Sequence, residues 1–309
     1  MIEDAALELF ERSIGHAVES HTGEALDAAL DEVGWLDALE ADQRTAVSVL
    51  FERQGAANAT SSALGWVLAR SLGLDSRGGV VLPALGRWDP PGDLDGTRLR
   101  VHGLGRGRWV VASTGEKDLA FDVSTAALDL RPVRGVDPWL GLVEVTGEVA
   151  GAETQPVMGW DAAVAVGRLA VGHELVGGSR TMLTLAREHA LERIQFGRPI
   201  ATFQAVRHRL AETLVAIEAA QAALDGAWLD RSPQAAAMAK AVAGRSARTA
   251  ARHCQQVLAG IGFTTEHPLH RYVRRVLVLD QLLGSSNVLT KQLGTELLRT
   301  RQLPPLLPL

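Results

Sequence analysis

The chain has 309 residues, 47% of them hydrophobic and 22% charged, with 31 basic against 36 acidic side chains and a formal net charge of -5. That is enough apolar material for one large core or two to three linked subdomains. The acidic balance argues against nucleic acid as a partner, because a phosphate backbone calls for a basic face.

One cysteine, Cys254, excludes an internal disulfide and suits a cytoplasmic protein. The opening "MIEDAALELFER" is acidic and amphipathic and does not read as a secretory signal. The longest uncharged run, Gln54 to Ala69, has 16 residues and is too short and too polar to cross a bilayer. The nine histidines show no metal-ligand spacing, and His208, His253 and His267 read as surface or satisfied polar groups.

In chain order, residues 1–76 form a first helical domain. Leu7, Phe10, Ile14 and Val18 recur every three or four positions, and "ALDAALDEVGWLDAL" continues that period. Over 77–153 the texture changes to "LPALGRWDPPGDLDG" followed by short β-prone runs, "RLRVHG", "RWVVAS" and "GLVEVTGEV". This reads as a small β middle domain, with "GLGRGRW" at 103–109 as a hairpin turn. From 154 to 309 the helical period returns in four long segments, 161–192, 202–230, 233–259 and 268–300. Their breaks at Gly197-Arg198-Pro199, Ser232-Pro233 and Gly260-Ile261-Gly262 suit an antiparallel four-helix bundle. The tail "LPPLLPL" cannot continue a helix and reads as an extended arm. The fold class expected is mainly α with a small β middle domain.

Two stretches carry chemistry. In "LERIQFGRPIATFQAV" an arginine at a helix end precedes a tight turn, which can present a fixed guanidinium to a phosphate. In "CQQVLAGIGF" Gln256 stands one helical turn before Gly260 and Gly262, where exposed backbone N–H groups can approach a pyrophosphate. Asp161 reads as a charge favoured by the helix dipole. The run "HRYVRR", 270–275, reads as a solvated helix start.

These motifs, in this order, resemble the acyl-CoA dehydrogenases. The family's R-x-x-F-G turn, F/H-Q pair and Q-x-x-G-G-x-G turn are matched by Arg193-Ile194-Gln195-Phe196-Gly197, by Phe203-Gln204 and by Gln256-Val257-Leu258-Ala259-Gly260-Ile261-Gly262. A segment with Arg274 and Gly284-Ser285-Ser286-Asn287-Val288 follows. The resemblance is clear over 155–300 and faint elsewhere, although "DLDGTRLRVHG" is similar to one of the family's strand pairs. It implies N-terminal helices, a β-barrel-like middle domain and a C-terminal four-helix bundle, with FAD as cofactor. It also implies a flavin site built by two subunits. In that arrangement Arg193, Gln195, Phe196, Phe203, Gln204, Gln256, Val257, Ala259 and Gly260 look like the half supplied in trans to the pyrophosphate and adenosine.

The departures matter as much. A carboxylate must remove the α-proton while the β-hydride leaves to the flavin. The family places it where Leu283 stands here, or, in some members, where Gly167 precedes Arg168. The middle-domain T-E-x-x-x-G-S-D loop has no equivalent over 75–97. The chain therefore resembles the non-catalytic subunit of an actinobacterial α2β2 acyl-CoA dehydrogenase acting on steroid side-chain CoA thioesters. On that reading a homologous partner supplies the glutamate and most of the acyl-CoA contacts. Two rivals are a homo-oligomeric flavoenzyme with Asp280 as a displaced base, and a flavin-free scaffold; Asp280 otherwise reads as a solvated helix-face charge.

Overall fold

The computed structural model describes residues 4–95, 98–99, 103–104, 107–113, 117–123, 128–147 and 152–302. The expected arm at 303–309 and part of the 96–106 stretch lie outside the described residues. Helices α1 (Asp4–Ser20), α2 (Glu24–Glu32), α3 (Trp35–Ala41), α4 (Gln43–Ala57) and α5 (Ala63–Ser71) open the chain. Asp42 starts α4 by accepting the Thr45 amide at 3.1 Å, which satisfies one of the orphan donors of a helix N-terminus.

Among the described residues eight short strands follow: β1 (Gly92–Asp95), β2 (Arg98–Leu99), β3 (Gly103–Leu104), β4 (Trp109–Ser113), β5 (Asp118–Asp122), β6 (Leu128–Pro132), β7 (Val143–Gly147) and β8 (Thr154–Val157). They make two sheets of order β2-β1-β4-β5-β8 and β3-β7-β6. β8 lies past residue 153, yet it pairs antiparallel with β5. Strand β4 shows how the sheet sits. Successive strand side chains point to opposite faces, so Trp109 and Val111 join the helical core. Val110 and Ala112 instead face Phe121, Val143 and Val145 in a smaller core between the sheets.

The rest is helical: α6 (Trp160–Glu192), α7 (Gln204–Asp230), α8 (Pro233–Leu258), α9 (Leu269–Leu279) and α10 (Ser286–Thr300). Among the described residues no helix is long and apolar enough to cross a membrane. The central helix, α6, lies against α4, α7 and α8. It meets α4 backbone to backbone: a Cβ on Gly55 would overlap the Glu174 carbonyl, and one on Gly177 the Glu52 carbonyl.

The fourth segment, expected as one helix over 268–300, is two. Asp280 is not solvated but fully buried. Its Oδ1 accepts the Ser286 amide at 3.0 Å, and its Oδ2 accepts Arg248 Nε at 2.8 Å. Lys240, also fully buried, donates from Nζ to the Asp280 and Gly284 carbonyls at 3.1 and 3.3 Å. Burial pushes its pKa down to about 8. The chain turns with Leu283 and Gly284 at φ +55° and +100°, and Ser285 caps α10 through the Val288 amide.

The run at 270–275 is likewise not a solvated start, because Arg275 is buried. Its Nε donates to Asp137 Oδ2 at 2.5 Å, Nη1 to the Ala59 carbonyl at 2.6 Å and Nη2 to Thr60 Oγ1 at 3.2 Å. Glu174 Oε1 stands 3.7 Å from Nη1. One side chain thus ties α9 to α6, to the end of α4 and to the segment before β7. Arg275→Met, which strands two buried carboxylates, should cost about 3–5 kcal/mol. The urea midpoint, with the slope of the transition unchanged, measures it.

Candidate functional site

The two expected motif turns lie at the same end of the bundle. His189, in the last turn of α6, and His267, just before α9, have ring centroids 6.5 Å apart. The C-terminal ends of α6 and α8 are thereby neighbours.

Arg193 caps α6 with an extended backbone and leads into a hairpin of β9 (Ile194–Gln195) and β10 (Arg198–Pro199). The two residues between them, Phe196 and Gly197, have φ of +53° and +76°. Two consecutive positive φ values are what a two-residue type I′ hairpin turn requires. The Ile200 amide closes the loop on the Arg193 carbonyl at 2.9 Å. Phe203, the residue before α7, receives the edge of Phe196 at 6.0 Å and the Arg198 guanidinium at 4.5 Å from its ring centre.

The side chains of Arg193, Gln195, Phe196 and Gln204 all face solvent, with Phe196 91% exposed. Among the described residues Arg193 has no carboxylate partner, so its charge is available to an anion. At the end of α8, Gln256, Ala259 and Gly260 are exposed. Val257 is not: its side chain is buried in the helical core, so only its backbone can face a ligand there. Ala259, where the family carries glycine, still holds φ +53° and ψ −133°. An alanine in that region costs about 1–3 kcal/mol, so the glycine geometry of the turn persists without the glycine. An arginine without a carboxylate partner among the described residues, two aromatic rings packed edge to face and this strained turn suit the dinucleotide that the resemblance implies.

The two positions at which the resemblance places a carboxylate meet each other. A Cβ at Gly167 would lie 2.6 Å from Leu283 Cδ1 and 3.1 Å from Leu68 Cδ2. Leu283 is buried, and Arg168 Nε donates to its carbonyl at 3.0 Å. The Arg168 guanidinium lies 5.3 Å from the Trp88 ring centre, and burial pushes its pKa down to about 10. Trp88 is held in turn by its carbonyl, which accepts Trp160 Nε1 at 2.7 Å. Where the resemblance places a general base stands a leucine, whose carbonyl is held by Arg168. Nor is Asp280 free to act, since both its oxygens are taken by Ser286 and Arg248.

His208, His253 and His267 are satisfied or exposed as expected. His253 Nδ1 is 3.1 Å from Thr213 Oγ1, His267 Nδ1 accepts the Leu269 amide at 3.2 Å, and His208 is exposed. Sequence reasoning missed Glu174, Lys240 and Arg275. The signal available was a charged residue inside an apolar helical run, as in "GHELVGG".

Residues 159–298 match the sequence profile described as acyl-CoA dehydrogenase, C-terminal domain. The chain is 34% identical over 166 residues to acyl-CoA dehydrogenase IpdE2 of Mycobacterium tuberculosis, covering 54% of this chain and 51% of that protein. It therefore spans about half the length of that curated relative. Among solved structures it resembles the Tcur3481-Tcur3483 steroid ACAD G363A variant, with a TM-score of 0.78 and 22% identity over 96% of this chain and 98% of that one. It also resembles the ChsE4-ChsE5 complex from Mycobacterium tuberculosis, with a TM-score of 0.77 and 19% identity over 99% of both chains.

Asp280→Ala leaves Arg248 and the Ser286 amide unpaired, which should lower stability by about 1–3 kcal/mol and speed amide exchange at Ser286. An unchanged urea midpoint would mean that the carboxylate is spare, as a displaced base would have to be.

Proposed function

Because this chain belongs to the acyl-CoA dehydrogenase family, we propose that it is the non-catalytic subunit of a heteromeric, FAD-dependent α2β2 enzyme. It lends half of a flavin site to a homologous partner that carries the catalytic glutamate and binds most of the acyl-CoA. The observation that carries this reading is the contact between Gly167 and Leu283. Both positions for the carboxylate are apolar and packed together, while the turns at the bundle end keep their polar and aromatic groups outward.

On this reading Arg193 pairs with the pyrophosphate, a charge-assisted contact. Gln204, Gln256 and the 257–260 backbone hold the adenosine side, with Gln195, Phe196 and Phe203 against it. The flavin, when bound, supplies the hydride acceptor for α,β-desaturation. This chain's residues hold and shield it, and the α-proton goes to the partner's carboxylate. A steroid side-chain CoA thioester is the substrate class we favour, from the likeness to a protein described as a steroid ACAD. Fold likeness alone supports that step.

Co-expression with the partner should give a yellow complex with one FAD per heterodimer, and four tightly bound flavins per tetramer would overturn the half-site reading. Arg193→Ala should weaken FAD retention about ten- to a hundredfold, the scale of a lost charged hydrogen bond, with the bundle still folded. Equilibrium dialysis of the purified complex reads the loss. Unchanged FAD affinity would reject the assignment.

A further inference from the structure

A groove of about 510 Å³ runs over the middle of α6, with α4 as one wall and α7 as the other. His173, Gly177 and Arg180 form its floor, since residues three or four apart share a helix face. None of the bundle-end residues lines it, and neither do Gly167, Arg168 and Leu283. Counted along α6, His173 stands about 30 Å from Arg193. The volume is usual for a small-molecule site.

Two uncharged side chains of the groove each leave an atom without a bond. His173 is 1% exposed, and its Nε2 accepts the Trp228 indole N–H at 3.1 Å. An indole nitrogen can only donate, so the neutral imidazole carries its own proton on Nδ1. Burial pushes the pKa of His173 down to about 4, which keeps the ring neutral. That Nδ1–H has no partner among the described residues, and neither has Gln221 Oε1 on the α7 wall. Gln221 Nε2 is turned to Asp225, whose two carboxylate oxygens both stand 3.4 Å away. An unmet donor thus sits on the floor and an unmet acceptor on the wall. Burying such groups unpaired is costly, so a molecule that meets both is favoured.

The charges of the groove balance. Arg44 on α4 reaches across to Asp225 on α7 at 3.4 Å. Arg180 stands 3.5 Å from Glu52 of α4 and 3.5 Å from Glu218 of α7. Glu11 of α1 and Arg53 of α4, one of each sign, are the other charged lining residues. An anion would meet Asp225 and Glu52, and a cation would meet Arg44 and Arg180, so a neutral ligand is selected. Arg44 and Asp225 are also the charges that face His173. Their pair is half exposed, and such pairs are worth little, so it can part to admit a ligand.

We infer that this groove is a second ligand site, taking a small uncharged molecule that presents a carboxamide. The carbonyl oxygen accepts from His173 Nδ1, and the amide N–H donates to Gln221 Oε1. The two partners belong to different helices, so the ligand's acceptor and donor must be separate atoms, as they are in an amide. Val49 and Ala56 offer the apolar part of the wall to its body. The site does not depend on the flavin reading.

The test is a ligand-observed NMR titration, with thermal unfolding in parallel, of the full chain and any subunit that co-purifies, against nicotinamide. Saturable binding with a Kd of about 1 mM is expected for so small a ligand, and Tm should rise as it is added. Nicotinate is the same ring with a carboxylate and has no N–H for Gln221. It should bind at least about tenfold more weakly. Gln221→Leu should weaken nicotinamide binding about tenfold, the scale of one lost hydrogen bond. Ser48→Trp, which puts a ring into the groove from α4, should abolish binding whether or not the Gln221 variant folds. Flavin absorbance of the same samples reports the flavin site separately. Absence of saturable binding, equal affinity for nicotinate, or binding that survives Ser48→Trp would overturn the inference.

Discussion

Arg275 has only 2% of its side chain exposed, and a guanidinium in that setting survives only where hydrogen bonds replace the water it has lost. Here they come from three directions: Asp137 before β7, the Ala59 carbonyl and Thr60 after α4, and Glu174 on α6. The strands, the first helices and the bundle converge on one cation. Two carboxylates compete for it, and Asp137 takes the close contact. Glu174 is left at the longer distance, and its pKa rises to about 7 through burial. The raised pKa of Glu174 follows from how the elements around Arg275 are joined.

A second set of buried polar groups holds the 280–285 turn. Lys240, Asp280 and Arg168 are spent on backbone carbonyls, an amide and Arg248. The turn therefore keeps its shape without a carboxylate at 283. Leu283 holds φ +55°, which costs about 1–3 kcal/mol for a residue with a Cβ. Its burial against Gly167 offsets that cost, since fully burying a leucine is worth about 1.5–3 kcal/mol. The two positions are coupled. Any side chain at 167 would collide with Leu283 as it stands, so a carboxylate at 167 requires Leu283 to change.

The helical periods and the β texture between them were legible because each element buries one face, and burial writes its period into the chain. The turns at Phe196-Gly197 and at Ala259 were legible through the glycines in and after them, Gly197, Gly260 and Gly262, although Phe196 and Ala259 also hold positive φ. The break at Asp280 was not. "RVLVLDQLLGSS" keeps an amphipathic period across it, and what buries Asp280 is Lys240 and Arg248 from α8, 40 and 32 residues away. Only Gly284-Ser285-Ser286, a turn glycine followed by a helix cap, signalled it. Arg275 looked solvated because its neighbours in sequence are charged, and its partners lie about 100 to 216 residues away in the chain. Val257 was grouped with the ligand turn by motif, although the helical period turns its side chain to the core.

The exposure of the bundle-end cluster bears on how such a chain works. A residue that binds a ligand of its own chain is normally recessed with it, whereas Phe196 stands 91% exposed and Phe263, across the same end, 70%. Large apolar side chains in water gain about 25 cal/mol for each Å² of apolar surface later covered. The rigid I′ hairpin and the strained Ala259 turn fix these groups before anything covers them, so little conformational entropy remains to be lost on binding. Arg193 fits the same logic. Its charge has no carboxylate to leave among the described residues, and an arriving phosphate displaces only water. A surface prepared in this way is costly to a free subunit and favourable to a joined one. On the half-site reading, that difference couples flavin binding to assembly with the partner.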